Sequence, residues 1–187
     1  MNGGDAFIVC VTGMPGAGKT TATKALVSSG FTIVSMGDVV RREAQKRGLG
    51  LDKEGQRQMM LTLREEGGPA AIAKLCVEEI RSKDLRKVVI DGARSLDEVN
   101  NFRSVGTVML LGIHASPMRR YELLISRGRD DDPLSYADFE ARDQRELDLG
   151  LGKVIALADR IIENESNSIK MLDDTVRGVV AEWQRSA

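Results

Sequence analysis

Phe7-Ile-Val-Cys-Val11, then Thr12, then Gly13-Met-Pro-Gly-Ala-Gly18-Lys19-Thr20 is the stretch on which the reading of this chain turns. A continuous apolar run of strand length fits a strand buried on both faces, as in a parallel sheet. The segment after it matches G-x-x-x-x-G-K-[ST]. That spacing serves one chemistry. Glycines let the backbone curl so that successive N–H groups converge on phosphate oxygens. A helix opening at Lys19 adds the positive end of its dipole. The Lys19 ammonium is placed for β- and γ-phosphates and the Thr20 hydroxyl for Mg²⁺. The candidate nucleotide-binding set is Gly13, Pro15, Gly16, Ala17, Gly18, Lys19, Thr20 and Thr21.

Outward from this loop, short apolar runs alternate with helical patterns. A helix from about Lys19 to Ser28 stops at Gly30, and Phe31–Val34 reads as the second strand. Helical stretches at about 38–47 and 52–66 are broken at Gly48 to Gly50, and Gly67-Gly68-Pro69 is a strong breaker. Ile72, Leu75, Cys76 and Ile80 share a helix face, and Lys87–Asp91 is the third strand. Ser95-Leu-Asp-Glu98 is a capping box that opens a helix bearing Leu96, Val99 and Phe102. Val105–Ile113 is the fourth strand. Ser116-Pro117 starts another helix, with serine as cap and proline at the first helical position. Asp159–Glu163 is the fifth strand. Ile169, Leu172, Val176, Val179, Val180 and Trp183 make the stripe of a closing helix. The expected class is α/β, a five-stranded parallel sheet with helices on both faces. Arg119 to Asp148 is the most polar interior section, with little apolar periodicity after Pro133; a helix pair there packs weakly on the core and is the candidate lid.

Composition bounds the rest. The chain has 187 residues, room for one domain that buries roughly 70% of its unfolded surface. Hydrophobic residues are 42% and charged residues 29%, which excludes disorder and fibre. A net charge of -1, from 27 basic and 28 acidic residues, argues against a nucleic-acid coat or a polybasic membrane anchor. The runs Phe7–Val11 and Val108–Ile113 fall far short of the ~20 residues of a membrane helix. Asp5 beside the first run is not the pattern of a signal peptide. Cys10 and Cys76 have neither disulfide nor metal spacing and read as small core residues, so a reducing, cytoplasmic setting is the expectation. No long heptad repeat is evident, leaving monomer and homodimer both open.

Asp91 ends the third strand, at the carboxyl edge where open α/β sheets bind ligands, and can orient Mg²⁺ there. Phosphoryl transfer also needs positive charge around the migrating group. Arg41 follows Ser35-Met-Gly-Asp38 at a helix start, and Arg94 lies on the loop after Asp91. Arg127 and Arg129 flank Gly128. Arg120, seven residues earlier, shares the face of Arg127, and Arg142 and Arg145 share a face of the next helix. Arg119 and Arg120 also have a plain reading, as surface groups paired with Glu122 and nearby acids.

Together, Gly13 to Thr20, Ser35-Met-Gly-Asp-Val-Val-Arg41 and Val88-Val-Ile-Asp-Gly-Ala-Arg94 resemble adenylate kinase and related nucleoside monophosphate kinases. The chain is most similar to the archaeal adenylate-kinase-related proteins. The shared features are the M-G-D-V helix start, V-I-D-G-x-R-S, H-A-S-P, an R-G-R-x-D-D lid and A-L-A-D with I-x-N-E, covering essentially the full chain. The resemblance implies a single domain over 1–187, an acceptor-binding helical region at about 36–84 and an arginine-rich lid at about 119–148. It implies ATP and Mg²⁺ as cofactors, Lys19 on the transferred phosphate, and Thr20 and Asp91 on the metal. Arg41 and Arg94 would grip the acceptor's phosphate, with Asp38 and Arg142 in the acceptor set, and Arg127 and Arg129 would close over the donor. Two departures stand out. Arg94 comes three residues after Asp91 where adenylate kinase usually has four, and the lid carries neither the long insertion nor zinc-type cysteines.

Ser116 to Asn164 also resembles dephospho-CoA kinase, which would put Asn164 beside the donor base. That acceptor presents a hydroxyl and needs a general base, for which Asp38 is the candidate. A nucleoside monophosphate needs clamping by arginine, and Arg41 with Arg94 favours a phosphate-bearing acceptor. A third reading is a nucleotide-dependent switch or assembly factor with a macromolecular partner, since fold does not fix function. The +3 charge of Arg41 to Arg47 is its only hint of an RNA contact. His114 reads as structural, its polar tip satisfied at the strand end, and Met59 and Met60 read as gap-fillers.

Overall fold

The structure is a computed structural model and describes residues 5–50, 52–128, 132–166 and 168–186. Five parallel strands run in the order β2-β3-β1-β4-β5: β1 (Ala6–Thr12), β2 (Thr32–Ser35), β3 (Lys87–Asp91), β4 (Gly106–His114) and β5 (Arg160–Glu163). The α/β class and five-stranded parallel sheet are as expected. The strand period of two splits β1, β3 and β4 between two cores. Ile8, Cys10, Val88 and Ile90 face one layer, and Val9, Val11, Val89, Leu111 and Ile113 face the other. Because both faces are covered, these strands carry no polar side. Each fully buried aliphatic side chain contributes about 1.5–3 kcal/mol.

One layer holds α2 (Met36–Lys46), α3 (Lys53–Gly67), α4 (Ala71–Ser82) and α5 (Leu96–Phe102). The other holds α1 (Lys19–Val27) and α9 (Ile169–Ser186). The helix starts follow their local chemistry. Ser95 and Glu98 form the full capping box, and Ser116 caps α6 (Pro117–Arg127) with proline at its start. Ser135 caps α7 (Tyr136–Asp148), accepting from the Asp138 N–H at 3.1 Å. A short helix, α8 (Leu151–Ala156), was not expected. It is one and a half turns long and contains Gly152, too little for a periodic signal, but Leu151 and Val154 are buried.

Register sets the site. Val11 and Ser35 both pair with Asp91, so three strands end level at the carboxyl edge. The phosphate loop, Ser35, Asp91 and Asn164 all lie on that edge, in the crevice where β1 is flanked by β3 and β4. Two sequence expectations need correction. Ile169, on the apolar stripe of α9 by its spacing, is 76% exposed, one turn before buried Leu172. The α6–α7 pair is held by one buried ion pair and by a cluster of the Tyr121, Tyr136 and Phe139 rings. Phe139 is the buried apolar residue of α7, and Arg120 pairs with Asp143. Among the described residues, no helix is long and apolar enough to cross a membrane.

Candidate functional site

The loop between β1 and α1 takes its shape from what packs against it. A Cβ at Gly13 would lie 2.2 Å from the Ile113 carbonyl oxygen, so only glycine lets the loop cross β4 there. Gly18 has φ +108°, and a Cβ on it would stand 2.6 Å from Asn164 Nδ2. Asn164 is buried and donates from Nδ2 to the Ala17 carbonyl at 2.9 Å. It therefore acts on the loop's backbone. Lys19 Nζ donates to the carbonyls of Gly13 at 2.7 Å and Met14 at 3.0 Å. Burial pushes the Lys19 ammonium down to about 8, opposed by the Asp91 and Glu146 carboxylates and reinforced by Arg94 and Arg142. These four charged groups surround the lysine.

A cavity of about 890 Å³ opens over this edge. It brings together Gly13, Pro15, Gly16, Gly18, Lys19, Thr20, Thr21, Asp91, Arg41, Arg94, Arg127, Arg142 and Asn164. Ala17 of the expected set is fully buried; its methyl belongs to the core beside α1. Arg129 lies outside the described residues. Asp38 lines neither this cavity nor the next. Its carboxylate is ion-paired with Arg41 in the first turn of α2, because the two are three residues apart on one helix face. His114 is exposed at the end of β4 and lines neither cavity, so its ring faces solvent rather than a partner in the strand-end packing.

A second cavity of about 520 Å³ adjoins the first and shares Gly37, Arg41, Gly92 and Arg94 with it. Met36, Val40, Met60 and Ile72 give it an apolar wall, and Gln56, Arg57, Arg64 and Glu98 give it polar groups. Met59 is core, as expected, but Met60 borders this cavity rather than filling a gap. Glu98 organises the wall. Its side chain is 1% exposed and accepts from the Arg94 N–H at 2.7 Å, the Ser95 N–H at 3.3 Å and Arg64 Nη2 at 3.1 Å. The capping residue thus fixes the loop that presents Arg94.

Several lining residues escaped the sequence reading. Glu146 stands 3.0 Å from Arg94 Nε, one helical turn after Arg142; the i, i+4 spacing from Arg142 was the available signal. Arg145, expected on that face, is exposed and lines neither cavity. Arg119 lines the first cavity while lying 3.4 Å from Glu122. Asp132 binds Arg127 through both oxygens and lies 3.8 Å from Arg142 Nη1, which draws these two arginines together. The basic run after Arg41 is neutralised: Arg42 pairs with Glu79, Lys46 with Glu43 and Arg47 with Glu66.

Among the described residues, no cluster of three or more His, Cys, Asp or Glu is arranged to hold a metal. The Thr20 hydroxyl and Asp91 carboxylate on one cavity wall nevertheless fit Mg²⁺. That ion takes one or two protein oxygens and completes its shell with phosphate and water.

The comparisons agree with this geometry. A family model described as "AAA domain" matches residues 12–136. A UPF0200 protein of Thermococcus onnurineus is 51% identical over 165 residues, covering 85% of this chain and 89% of that protein. The chain belongs to the UPF0200 family. The UPF0200 protein of Methanocaldococcus jannaschii is 43% identical over 179 residues, covering 93% and 91%. Among solved structures, TT1252 from Thermus thermophilus superposes with a TM-score of 0.68 at 19% identity, covering 95% of this chain and 98% of that one. Shikimate kinase from Bacteroides thetaiotaomicron gives 0.59 at 14% identity, with coverage of 95% and 98%. The fold of this UPF0200 protein is that of P-loop kinases.

Proposed function

We propose that this UPF0200 protein is an ATP- and Mg²⁺-dependent kinase that phosphorylates a small phosphate-bearing acceptor, a nucleoside monophosphate. One observation carries the reading. The cavity over the phosphate loop adjoins a second, half-apolar cavity across a shared rim built from Arg41 and Arg94. A planar base fits the wall of Met36, Val40, Met60 and Ile72, and its phosphate would lie at the arginine rim, facing the loop.

The donor's phosphates are held by loop N–H groups and Lys19, and its base packs on Leu123, Ile169 and Leu172. Thr20 and Asp91 would hold Mg²⁺, which would supply neutralising charge beside the phosphates. Arg94 and Arg41 hold the acceptor phosphate in line, and an acceptor oxygen bonds to the γ-phosphorus as the bond to the bridging oxygen breaks, releasing ADP. Arg127 and Arg142, drawn together by Asp132, spread the developing charge, and the lid helices at 119–148 exclude water. Arg129 is assigned to the same lid set.

A hydroxyl acceptor, as in dephospho-CoA, is the second reading. Glu146 favours it, as a carboxylate that lines the cavity over the phosphate loop, which Asp38 does not. The test is incubation of the purified protein with ATP and Mg²⁺ against separate nucleoside monophosphates, their deoxy forms and dephospho-CoA, with products separated by chromatography. Conversion of a monophosphate above ~1 per second supports the proposal. Phosphorylation of dephospho-CoA alone replaces it with the second reading. ATP binding without any conversion favours a nucleotide-dependent switch.

A further inference from the structure

Arg120 is the cation that phosphate chemistry does not use. Its side chain is 4% exposed and lines neither cavity. Its donors are spent on three elements. Nε donates to the Ala115 carbonyl at 3.2 Å and Nη1 to the Pro15 carbonyl at 3.1 Å. Nη1 and Nη2 donate to the two oxygens of Asp143 on α7, at 2.8 and 2.5 Å. The guanidinium carbon sits 4.9 Å from the centre of the Phe139 ring. The loop also rests on this residue's backbone, since a Cβ at Gly16 would meet the Arg120 carbonyl oxygen at 2.7 Å.

We propose that Arg120 and Asp143 form a positioning pair that links the lid helix α7 to the phosphate loop and sets the loop's affinity for phosphate without touching the nucleotide. The inference rests on the nucleotide-binding part of the proposed function. Its geometric basis is the planar trans peptide, in which C=O and the next N–H point opposite ways. By holding the Pro15 carbonyl outward, Arg120 turns the Gly16 N–H toward the cavity that Gly16 lines. Asn164 does the same at the next-but-one peptide, holding the Ala17 carbonyl and turning the Gly18 N–H. The two anchors differ in what stands behind them. Asn164 belongs to the end of the sheet, whereas Arg120 is gripped by Asp143, which neighbours Arg142 and lies three residues before Glu146 on the lid helix. Displacement of α7 therefore loosens the Gly16 donor as it withdraws Arg142.

Stability alone does not call for this pair. Buried ion pairs are commonly matched or surpassed by apolar side chains of similar volume, while removal of one partner strands a charge. That asymmetry separates the two roles. The full-length protein, its Arg120→Met and Asp143→Asn variants and the double variant Arg120→Met/Asp143→Leu are compared by thermal denaturation and by calorimetric titration with ATP and with inorganic tripolyphosphate. The single variants lower the melting temperature. The double variant regains part of it, since the Ala115 and Pro15 carbonyls stay without a partner, yet binds both ligands about tenfold more weakly than the parent, the worth of one aligned hydrogen bond. Asp143→Asn, which keeps the shape of the site, weakens both by about threefold or more. Double-variant binding equal to the parent's overturns the proposal and leaves the pair purely structural. Should the double variant not fold, unchanged affinity in Asp143→Asn does the same. A parent protein that binds neither ligand overturns the nucleotide reading and this inference together.

Discussion

Replacing Glu98 by alanine tests how the wall of the second cavity is built. The carboxylate is 1% exposed and satisfies the Arg94 and Ser95 N–H groups at 2.7 and 3.3 Å and Arg64 at 3.1 Å. Alanine strands two backbone donors at the start of α5, at about 1–2 kcal/mol each. Arg64 adds little, because its side chain is 22% exposed and turns to water. The expected destabilisation is about 2–4 kcal/mol, or a fall of about 6–12 °C in Tm for a chain of this size. Glu98→Gln retains one carbonyl oxygen for the backbone donors and loses only the charge toward Arg64, at about 0.5 kcal/mol or less. Urea denaturation reads both, as a shift in midpoint at constant slope. The same variants raise KM for the acceptor and leave ATP affinity unchanged, since Glu98 lines the second cavity alone. A loss below about 0.5 kcal/mol in Glu98→Ala, the range of an ordinary surface change, refutes the reasoning.

Three further outcomes follow from the site. Gly18→Ala places a Cβ 2.6 Å from Asn164 Nδ2 at φ +108°, so it costs about 2 kcal/mol or more and abolishes ATP binding; a calorimetric titration that still shows parental affinity contradicts the loop geometry. Glu146→Gln frees Arg94 from its partner and lowers the acceptor's KM about fivefold with kcat retained, whereas a collapse of kcat favours proton transfer from a hydroxyl acceptor to Glu146. Lys19, held at about 8 by burial, regains its full charge against phosphate, so binding takes up protons. With magnesium chelated, ATP affinity falls about tenfold from pH 7 to pH 9, and calorimetry in two buffers of different ionisation enthalpy detects the uptake. Flat affinity across that range, or an unchanged profile in Lys19→Met, is the contrary result. For folding the sign is separate: the unfolded chain binds more protons between about 8 and 10.5, so Lys19's contribution to stability rises with pH over that window.

Local chemistry made the fold legible. Apolar runs without alternation gave strands buried on both faces, and Ser95-Leu-Asp-Glu98 gave a helix start that the structure reproduces atom for atom. The phosphate loop was readable because its function depends on backbone shape, and backbone shape depends on glycine at fixed spacing. Lys19, Thr20, Asp91, Arg41 and Arg94 meet in one cavity because strand ends of a parallel sheet must meet at one edge.

What sequence alone determined, then, was the sheet, the phosphate loop and which strand ends would converge. Tertiary structure decided the duties of the charged side chains. Arg120 and Arg127 lie on one helix, but Arg120 turns into Asp143 and the Pro15 carbonyl while Arg127 turns to Asp132 at the cavity. Arg64 reaches Glu98 across 34 residues, and Asn164 reaches Ala17 across 147. No periodicity encodes such pairs. A guanidinium or a carboxylate is solvated equally well on any surface, and only the arrangement of neighbours in space removes water and gives each charge its own set of partners.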